Sequence, residues 1–399
     1  MENKKREYVF VVCGRKEHIN TLHTSINYLS SFSTNKINVI TDTSRNEIPI
    51  KHQQIIDVRT PEDLSHHQAS IYLKTGLYQF LPVGTTYCYL DSDVLAVSNR
   101  CDQIFEEYKP PITFAPDHCK MDAFSPFAIN CGCFEKCEGD RVRFNESLKK
   151  NDRSELIGDP SLKKQSKEIE EVYEKINKNP ALKLLYALKY LISYPKFSLN
   201  EKYHFDKRKR FWLNDKNEIV RYEIDSKAIA KETGLIHTLW SNKWKNKQGE
   251  DIFDLNCHHL KEAIHSTFSI KIKNPNWQHW NGGVFLFDEE SHAFLKEWQS
   301  KCLRIFDLKE WKTRDQGTLI ATAWEFGLQN HPTLSKEWNF IADYHNRALL
   351  LNAETNELTD DGFKTAYKPN FIHLFHEWGN TDWEIWNWAT SSLSQLKTD

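Results

Sequence analysis

The first third of the chain alternates apolar strands with amphipathic helices, and this alternation limits the fold more than any other feature. Short apolar runs at 7–13, 36–41 and 54–58 predict strands. Between and after them, apolar residues recur at helical spacing over 19–29 and 69–80. Such alternation is typical of a doubly wound sheet with right-handed crossovers. We therefore predict an α/β fold with a mostly parallel, Rossmann-like central sheet.

The composition narrows the classes of function. The 53 basic and 55 acidic side chains give a net charge of −2, so no overall positive field attracts nucleic acid. No apolar run approaches the roughly 20 residues that span a bilayer, and the N-terminus does not resemble a signal peptide. Nine cysteines without a regular framework are expected to be reduced thiols. We expect a cytoplasmic protein with no nucleic-acid partner.

Changes in composition divide the chain into three predicted segments. Residues 1–135 and 275–399 carry the strand–helix alternation and are expected to form one domain. Residues 136–274 are rich in Lys, Glu and Asn and are predicted to be a mainly helical insertion. Within it we expect an apolar helix at 180–195, packed in the insertion, and a hairpin at 211–224.

The apolar strand at 85–90 runs directly into Asp91, Ser92 and Asp93. Sheets of this class bind ligands at the carboxyl ends of their strands. Unpaired buried carboxylates are very costly, so a cation is expected beside them. Mg²⁺ or Mn²⁺ holding a diphosphate would suit two oxygen ligands there. The simpler alternative is an Asx turn that closes the strand.

Two further motifs combine chemically useful residues with a plain structural alternative. Asn281 precedes Gly282 and Gly283, and paired glycines let a ligand or a backbone approach closely, or simply form a tight turn. Asp315 and Gln316 lie where a helix begins. They would face a reacting centre, or Asp315 would serve as the helix N-cap.

A pair of histidines closes an apolar strand near the C-terminus. His373 and His376 follow the apolar residues at 371–372. An imidazole beside two carboxylates would favour Mn²⁺ over Mg²⁺, whereas the usual role of such a histidine is that of a hydrogen-bonded core residue. The spacing does not decide which histidine would join a metal site.

Together these segments resemble a known family. YLKTGLYQFLP, YCYLDSDVL, NGGVFLFD, DQGTL and HLFHEWG occur in the order found in the retaining family 8 glycosyltransferases, which include glycogenin and bacterial lipopolysaccharide galactosyl- and glucosyltransferases. The resemblance covers roughly 1–120 and 275–380. It implies a GT-A fold, a nucleotide-diphospho-sugar donor such as a UDP-hexose, a glycan or lipid-linked glycan acceptor, and transfer with retention.

The resemblance also implies roles for individual residues. Asp91, Asp93 and His373 would correspond to the family's Mn²⁺ ligands. Asp315 and Gln316 match its Asp-Gln pair, which lies near the anomeric carbon. If the enzyme instead inverted configuration, Asp315 would be the first candidate for the base.

Donor contacts partly depart from the family's pattern. Lys74 falls where the family usually has an arginine, and lysine keeps the charge but loses the bidentate fork. The closing segment lacks the family's lysine, and His376 is a candidate to replace it at the diphosphate. Asn281 matches an asparagine near the sugar pocket. The residues predicted to contact the donor are Lys74, Asp91, Ser92, Asp93, Asn281, Gly282, Gly283 and His376.

Two other functions remain open. A carbohydrate-binding protein that kept the fold and lost turnover is favoured by the departures at Lys74 and in the last motif. The intact Asp91, Asp93 and Asp315 favour an enzyme. A sugar nucleotidyltransferase would need a glycine-rich basic loop after the first strand, and CGRKEHIN has one glycine.

Weaker signals lie in and near the insertion. The basic run at 202–210, together with the apolar helix, would suit anionic head groups of the inner membrane surface, although a solvated loop is the simpler interpretation. CGCFEKC at 131–137, preceded by His118 and Cys119, contains cysteines at spacings that are not a standard zinc pattern, which favours buried thiols.

Overall fold

A computed structural model of the 399-residue chain describes residues 4–153, 156–238, 243–342, 349–352, 355–360, 365–374 and 376–395. The chain divides into two compact units. The first unit consists of Met1–Cys131 and Asn256–Asp399, and the second unit is Gly132–Leu255.

The elements are numbered in chain order. The strands are β1 (Lys5–Val11), β2 (Lys36–Thr41), β3 (Ile55–Asp57), β4 (Thr85–Leu90), β5 (Val94–Ala96), β6 (Ile112–Pro116), β7 (Lys196–Ser198), β8 (His204–Asp206), β9 (Phe211–Leu213), β10 (Ile219–Tyr222), β11 (Ile236–Thr238), β12 (Lys243–Lys245), β13 (Trp280–Phe287), β14 (Phe340–Ile341), β15 (Leu350–Asn352), β16 (Glu357–Asp360), β17 (Thr365–Tyr367) and β18 (Phe371–His373). The helices are α1 (Lys16–Phe32), α2 (His66–Thr75), α3 (Leu77–Phe80), α4 (Met121–Ala128), α5 (Glu138–Asn151), α6 (Pro160–Lys178), α7 (Pro180–Ile192), α8 (Ser226–Thr233), α9 (His259–Phe268), α10 (His292–Ile305), α11 (Arg314–Glu325) and α12 (Glu384–Gln395).

The first unit is built on a six-stranded sheet with the order β3-β2-β1-β4-β13-β6. The strands β3, β2, β1 and β4 pair in parallel, which confirms the predicted α/β class with a mostly parallel sheet. The exception is β13, which is antiparallel to both β4 and β6. Its first residues therefore lie at the same edge of the sheet as the last residues of β4 and β6.

Helices cover both faces of this sheet, which explains why its strands are apolar at nearly every position. Tyr87 and Tyr89 of β4 join one core with Phe285 of β13, and Cys88 and Leu90 join the core on the other face. Fully burying an apolar side chain contributes roughly 1.5–3 kcal/mol each. The sheet is therefore the stable platform on which the loops at its carboxyl edge rest.

A small second sheet of the first unit has the order β14-β18-β5. Its strand β18 is antiparallel to β5, with His373 opposite Val94. Ile385 and Ala389 of α12 are buried in the core that this sheet shares, so the tryptophan-rich C-terminal segment forms a packed helix.

The second unit contains α5–α8, a four-stranded sheet with the order β10-β9-β8-β7, and the pair β11–β12. The predicted hairpin at 211–224 is confirmed, because β9 and β10 pair antiparallel. Asn217 in its turn has φ of 60°, a left-handed conformation that asparagine tolerates better than most residues.

The prediction that the apolar helix is packed inside the insertion is wrong. No residue of α7 is buried, and its leucines face solvent. One core of this unit is formed by α6 and the four-stranded sheet, and Tyr186 and Tyr190 of α7 pack against it. In the described part of the chain, no helix combines the length and the apolar character that crossing a bilayer requires.

The carboxylate of Asp42, directly after β2, connects two nearby segments of the chain. Its carboxylate accepts hydrogen bonds from the backbone and side chain of Ser44 and from the backbone and side chain of Thr60. Arg45 and Arg59 place guanidinium nitrogens 3.4 and 3.6 Å from it. Burial alone would raise the pKa of Asp42, but these hydrogen bonds outweigh it and lower the pKa to about 2.

We expect Asp42→Asn to lower the free energy of unfolding by about 2 kcal/mol at neutral pH, because each pKa unit corresponds to roughly 1.4 kcal/mol. The folded pKa lies below the unfolded value of about 4. The difference in the free energy of unfolding between the wild type and Asp42→Asn should therefore be complete above about pH 4. It should disappear as the pH falls through about 2. Urea unfolding across this range measures it.

Asp63→Asn, at an exposed position, is the matched control and should change little at any pH. A stability difference for Asp42→Asn that stays constant down to about pH 2 would contradict this assignment.

Candidate functional site

Asp91, Ser92 and Asp93 form the tight turn between β4 and β5. The backbone N–H of Asp91 donates to the carbonyl of Gly283 (2.8 Å), and that of Val94 donates to the carbonyl of Asp91 (3.1 Å). The carbonyl of Ser92 accepts from the hydroxyl of Ser25 in α1. These three hydrogen bonds hold the backbone of the turn. The side-chain carboxylates of Asp91 and Asp93 take no part in them and lie at the sheet edge.

His373 lies beside these carboxylates because of the pairing of β18 with β5. Its Nε2 is 3.2 Å from Oδ1 of Asp93, and the backbone N–H of Leu374 donates to the carbonyl of Asp93 (3.1 Å). One ligand atom from each of Asp91, Asp93 and His373 lies within 4.8 Å of the other two. Two carboxylate oxygens and one imidazole are a ligand set that suits Mn²⁺ or Mg²⁺.

Asp91 and Asp93 are half-buried acids that share nearby cationic side chains. Burial raises the pKa of Asp91, despite the neighbouring ammonium of Lys74. Burial would also raise the pKa of Asp93, but His373 outweighs it and lowers the pKa. Burial would lower the pKa of His373, but Asp93 outweighs it and raises the pKa. The imidazole of His373 and the carboxylate of Asp93 therefore favour each other's charged forms.

Lys74 of α2 is the second cation of the group. Its buried Nζ lies 3.2 Å from Oδ1 of Asp91 and 3.3 Å from Oδ2 of Asp315. It also lies 5.2 Å from the centroid of the Tyr89 ring, whose hydroxyl donates to Asp91. Burial would lower the pKa of Lys74, but the two carboxylates raise it well above its usual range. Lys74 thus joins the Asp91 turn to the start of α11.

Asp315 lies in the first turn of α11, where Thr313 takes the N-cap position. The alternative in which Asp315 serves as the helix N-cap is therefore wrong. Burial would raise the pKa of Asp315, but Lys74 outweighs it and lowers the pKa. Beside it, Oε1 of Gln316 accepts from the backbone N–H of Gly282 (3.1 Å), and its Nε2 donates to the carbonyl of Trp280.

Asn281, Gly282 and Gly283 lie within β13, not in a turn. The register of β13 against β6 shifts between Asn281 and Phe285. A Cβ on Gly283 would lie 2.5 Å from Cε1 of His373, which is closer than non-bonded carbon atoms approach each other. The position of the His373 ring therefore requires a glycine at 283. A Cβ on Gly282 would lie 3.3 Å from Nζ of Lys74 and 3.4 Å from Oε1 of Gln316.

A polar network behind Asn281 was not foreseen from the sequence. Nδ2 of Asn281 donates to Asp117 (3.0 Å), and its Oδ1 accepts from Asn339 (3.0 Å). The buried His279 lies 3.7 Å from Asp117 and 3.3 Å from Nε2 of Gln316. Burial would raise the pKa of Asp117, but His279 and its other partners lower it well below its usual range.

The sequence did contain a signal for this network. Asp117 directly follows β6, just as Asp91 follows β4, so both acids lie at the carboxyl edge of the same sheet. Of the remaining predicted residues, the side chain of Ser92 is partly exposed, and His376 lies in an exposed bend three residues after His373.

The charges of the site fit a divalent cation. Asp91, Asp93 and Asp315 contribute three negative charges and Lys74 one positive charge. A metal ligand must be deprotonated, so metal binding would make His373 neutral and leave a net charge of −2 to be balanced. The hard oxygen donors are those that Mg²⁺ and Mn²⁺ prefer.

No protein-family model and no curated protein matches the sequence. Among solved structures, the apo bifunctional glycosyltransferase WbbM is 10% identical with a TM-score of 0.42, and the match covers 98% of this chain and 50% of WbbM. The chain thus spans about half the length of WbbM. Apo mouse xyloside xylosyltransferase 1 is 10% identical with a TM-score of 0.38, over 94% of this chain and 98% of that protein.

The order and pairing of the strands define the class of the protein. A mostly parallel sheet that includes the antiparallel β13, with acids at its carboxyl edge, is an α/β fold of the predicted Rossmann-like class.

We expect Gly283→Ala to weaken Mn²⁺ binding about 10- to 100-fold, the range seen when a metal ligand loses its support. The added methyl group would occupy the place of the His373 ring. Gly139→Ala is the matched control and should change the affinity little, because an added Cβ there would meet only the end of the Arg143 side chain, at 3.8 Å. Electron paramagnetic resonance of free Mn²⁺ measures both affinities, and circular dichroism checks the fold. Equal affinities in the two variants would contradict the predicted ligand role of His373.

Proposed function

We propose that this protein is a metal-dependent glycosyltransferase that transfers a hexose from a nucleotide-diphospho-sugar, a UDP-sugar, to a glycan or lipid-linked glycan acceptor with retention. The observation that carries the proposal is the convergence of Asp91, Asp93 and His373 at the carboxyl edge of the sheet, beside Lys74. Ligands of α/β sheets bind at this edge. The order of motifs, which resembles that of the family 8 enzymes, supports the reaction and the donor.

Asp91, Asp93 and His373 would hold Mn²⁺ or Mg²⁺. When bound, this cation would neutralise charge on the donor diphosphate and stabilise the departing nucleoside diphosphate. Gly283 leaves the room that the His373 ring requires, and the backbone bonds of the Asp91 turn keep both carboxylates at the edge.

Lys74 would supply a fixed positive charge close to the breaking bond. Its ammonium is already held by Asp91 and Asp315, so it needs no reorganisation when negative charge develops on the leaving phosphate. His376 is the proposed second contact of the diphosphate, in place of the family's lysine.

Asp315 and Gln316 would have different tasks at the sugar. The transition state of glycosyl transfer resembles an oxocarbenium ion, so the carboxylate of Asp315 would stabilise positive charge on the ring. The amide of Gln316 is bonded to the backbone of β13 at Gly282 and Trp280, so we assign it the positioning of Asp315 and of Asn281 at the sugar pocket.

Retention places the acceptor hydroxyl on the face from which the phosphate departs. The new C1–O bond then forms as the old one breaks, and the departing phosphate accepts the hydroxyl proton. This route needs no separate carboxylate base. The anomeric configuration of the product, determined by NMR, tests it.

We expect UDP-sugars to raise the melting temperature in the presence of Mn²⁺ and to be hydrolysed slowly without an acceptor, since ligands that bind the native state stabilise it. Asp93→Asn should lower Mn²⁺-dependent turnover by about 100-fold or more, because charge stabilisation at the leaving group is lost. Asp63→Asn is the matched surface control. Full activity in Asp93→Asn would contradict the proposal. Donor binding without turnover in the wild type would instead favour the carbohydrate-binding alternative.

We further propose that the second unit binds an anionic membrane surface. Four apolar side chains of α7 are largely exposed: Leu184 (61%), Leu188 (53%), Leu191 (74%) and Ile192 (84%). Soluble proteins seldom carry so much apolar surface in one place. An amphipathic or apolar helix flanked by basic residues is typical of proteins that lie in the head-group region.

Basic side chains surround this exposed helix. Nζ of Lys207 lies 4.0 Å from the ring centroid of Tyr190, and Arg208 donates to the hydroxyl of Tyr194 (2.9 Å). The basic run at 202–210 thus borders the apolar residues instead of forming a separate solvated loop. Phosphate head groups would meet these cations while the leucines enter the boundary of the acyl chains. A lipid-linked acceptor would be presented at that surface.

We expect the protein to sediment with phosphatidylcholine vesicles that contain phosphatidylglycerol and much less with phosphatidylcholine alone. The triple variant Leu184→Ser/Leu188→Ser/Leu191→Ser and the double variant Arg208→Gln/Lys209→Gln should each lose binding. Val83→Ser, at an exposed apolar residue of the first unit, should not. Absence of vesicle binding, or self-association that the leucine variant abolishes, would refute the membrane proposal.

A further inference from the structure

A second group of metal-binding side chains lies outside the site described above. One ligand atom from each of Cys131, Cys257 and His259 lies within 4.8 Å of the others. The Sγ atoms of Cys131 and Cys257 are 3.9 Å apart. A disulfide would require about 2.05 Å, whereas two thiolates on one tetrahedral zinc ion, each at about 2.3 Å, lie about 3.8 Å apart. The observed spacing excludes a disulfide and matches both a thiol–thiol contact and two ligands of one ion.

The chain supplies a fourth donor close to the first. Cys133 follows Cys131 by two residues, which keeps it within about 7 Å along the chain. The donors then form two short pairs, Cys-x-Cys at 131–133 and Cys-x-His at 257–259. Three thiolates and one imidazole are a standard ligand set for structural zinc.

The surroundings of the group hold its ligands in place. The backbone N–H of Cys257 donates to the carbonyl of Asp122 (3.1 Å) and its thiol donates to Oγ of Ser125 (3.1 Å). The same Oγ accepts from the backbone N–H of Leu260 (2.9 Å). Ser125 of α4 therefore orients both the cysteine and the first turn of α9, as outer hydrogen bonds do in metal sites.

We propose that Cys131, Cys133, Cys257 and His259 form a structural zinc site that ties the segment after α4 to the start of α9. The two cysteines Cys131 and Cys257 are 126 residues apart in the chain. Closing so long a loop restricts the unfolded chain strongly.

The zinc site would help to position the helix α11, which carries residues of the candidate active site. Its ligand His259 begins α9, whose next residue, Leu260, packs against α11 at Gly317. Gly317 follows directly after Asp315 and Gln316, so the position of α9 bears on the first turn of α11. The site takes no part in the reaction, since its four ligands complete a tetrahedron and leave no open position.

Cys137 provides an internal control for the sequence motif. It belongs to the same CGCFEKC run, but its Sγ lies 3.9 Å from Glu250 and 3.8 Å from Nδ2 of Asn246. Asp93 provides the control for the other metal site. The two controls separate a failure of the zinc proposal from a failure of the proposed transferase function.

The test uses the full chain, produced without a histidine tag and kept reduced. Elemental analysis should find about one tightly held zinc ion per chain, as for other structural sites. Cys131→Ser and Cys257→Ser should lose most of this zinc, while Cys137→Ser and Asp93→Asn should retain it. Zinc that survives in Cys257→Ser but disappears in Asp93→Asn would overturn the proposal.

Cobalt substitution keeps the proposal testable if the cysteine variants fail to fold. Co²⁺ bound to the wild-type chain should show thiolate-to-cobalt charge-transfer bands in the near ultraviolet and the visible bands of tetrahedral cobalt. Asp93→Asn should show the same spectrum. Absence of these bands together with absence of zinc, or a disulfide between Cys131 and Cys257 in mass spectra of the unreduced protein, would refute the zinc site.

Discussion

The antiparallel pairing of β18 with β5 is the constraint on which the candidate site depends. Because Asp93 directly precedes β5, the register that sets His373 opposite Val94 also brings the imidazole to within 3.2 Å of the Asp93 carboxylate. A slip of one residue would turn His373 to the other face of the strand. The short second sheet therefore converts two distant pieces of sequence into one ligand group, and the packing of α12 against that sheet secures the register.

Charge balance is the second constraint. Three carboxylates at one sheet edge would repel each other strongly if unpaired, and Lys74 and His373 offset them in the protein alone. Breaking such a pair by removing one partner typically costs more than a surface ion pair is worth. In our proposal, a divalent cation would join Asp91, Asp93 and His373 in place of these pairings. In our proposal, stability without metal and affinity for metal arise from the same residues.

The two units divide the proposed tasks. In our proposals, the first unit holds the donor, and its Cys131, Cys257 and His259 bind a zinc ion at the start of α9. The second unit carries the exposed leucines of α7 bordered by Lys207 and Arg208, in our proposal for contact with anionic lipid. A transferase that acts on a lipid-linked acceptor needs both a rigid site for the donor and a means of staying at the membrane surface.

The sequence alone determined the α/β class, the delivery of Asp91 and Asp93 to the end of a buried strand, and the hairpin around Asn217, because these follow from local periodicity and turn chemistry. Contacts between distant residues required the tertiary structure. These include the reversed direction of β13, the proximity of His373 to Asp93, the support of Asn281 by Asp117, and the meeting of Cys131 with Cys257. The exposure of α7 also escaped the sequence, since an apolar helix is buried only if a core has room for it. Strand pairing and available core volume are properties of the whole chain, and no local pattern encodes them.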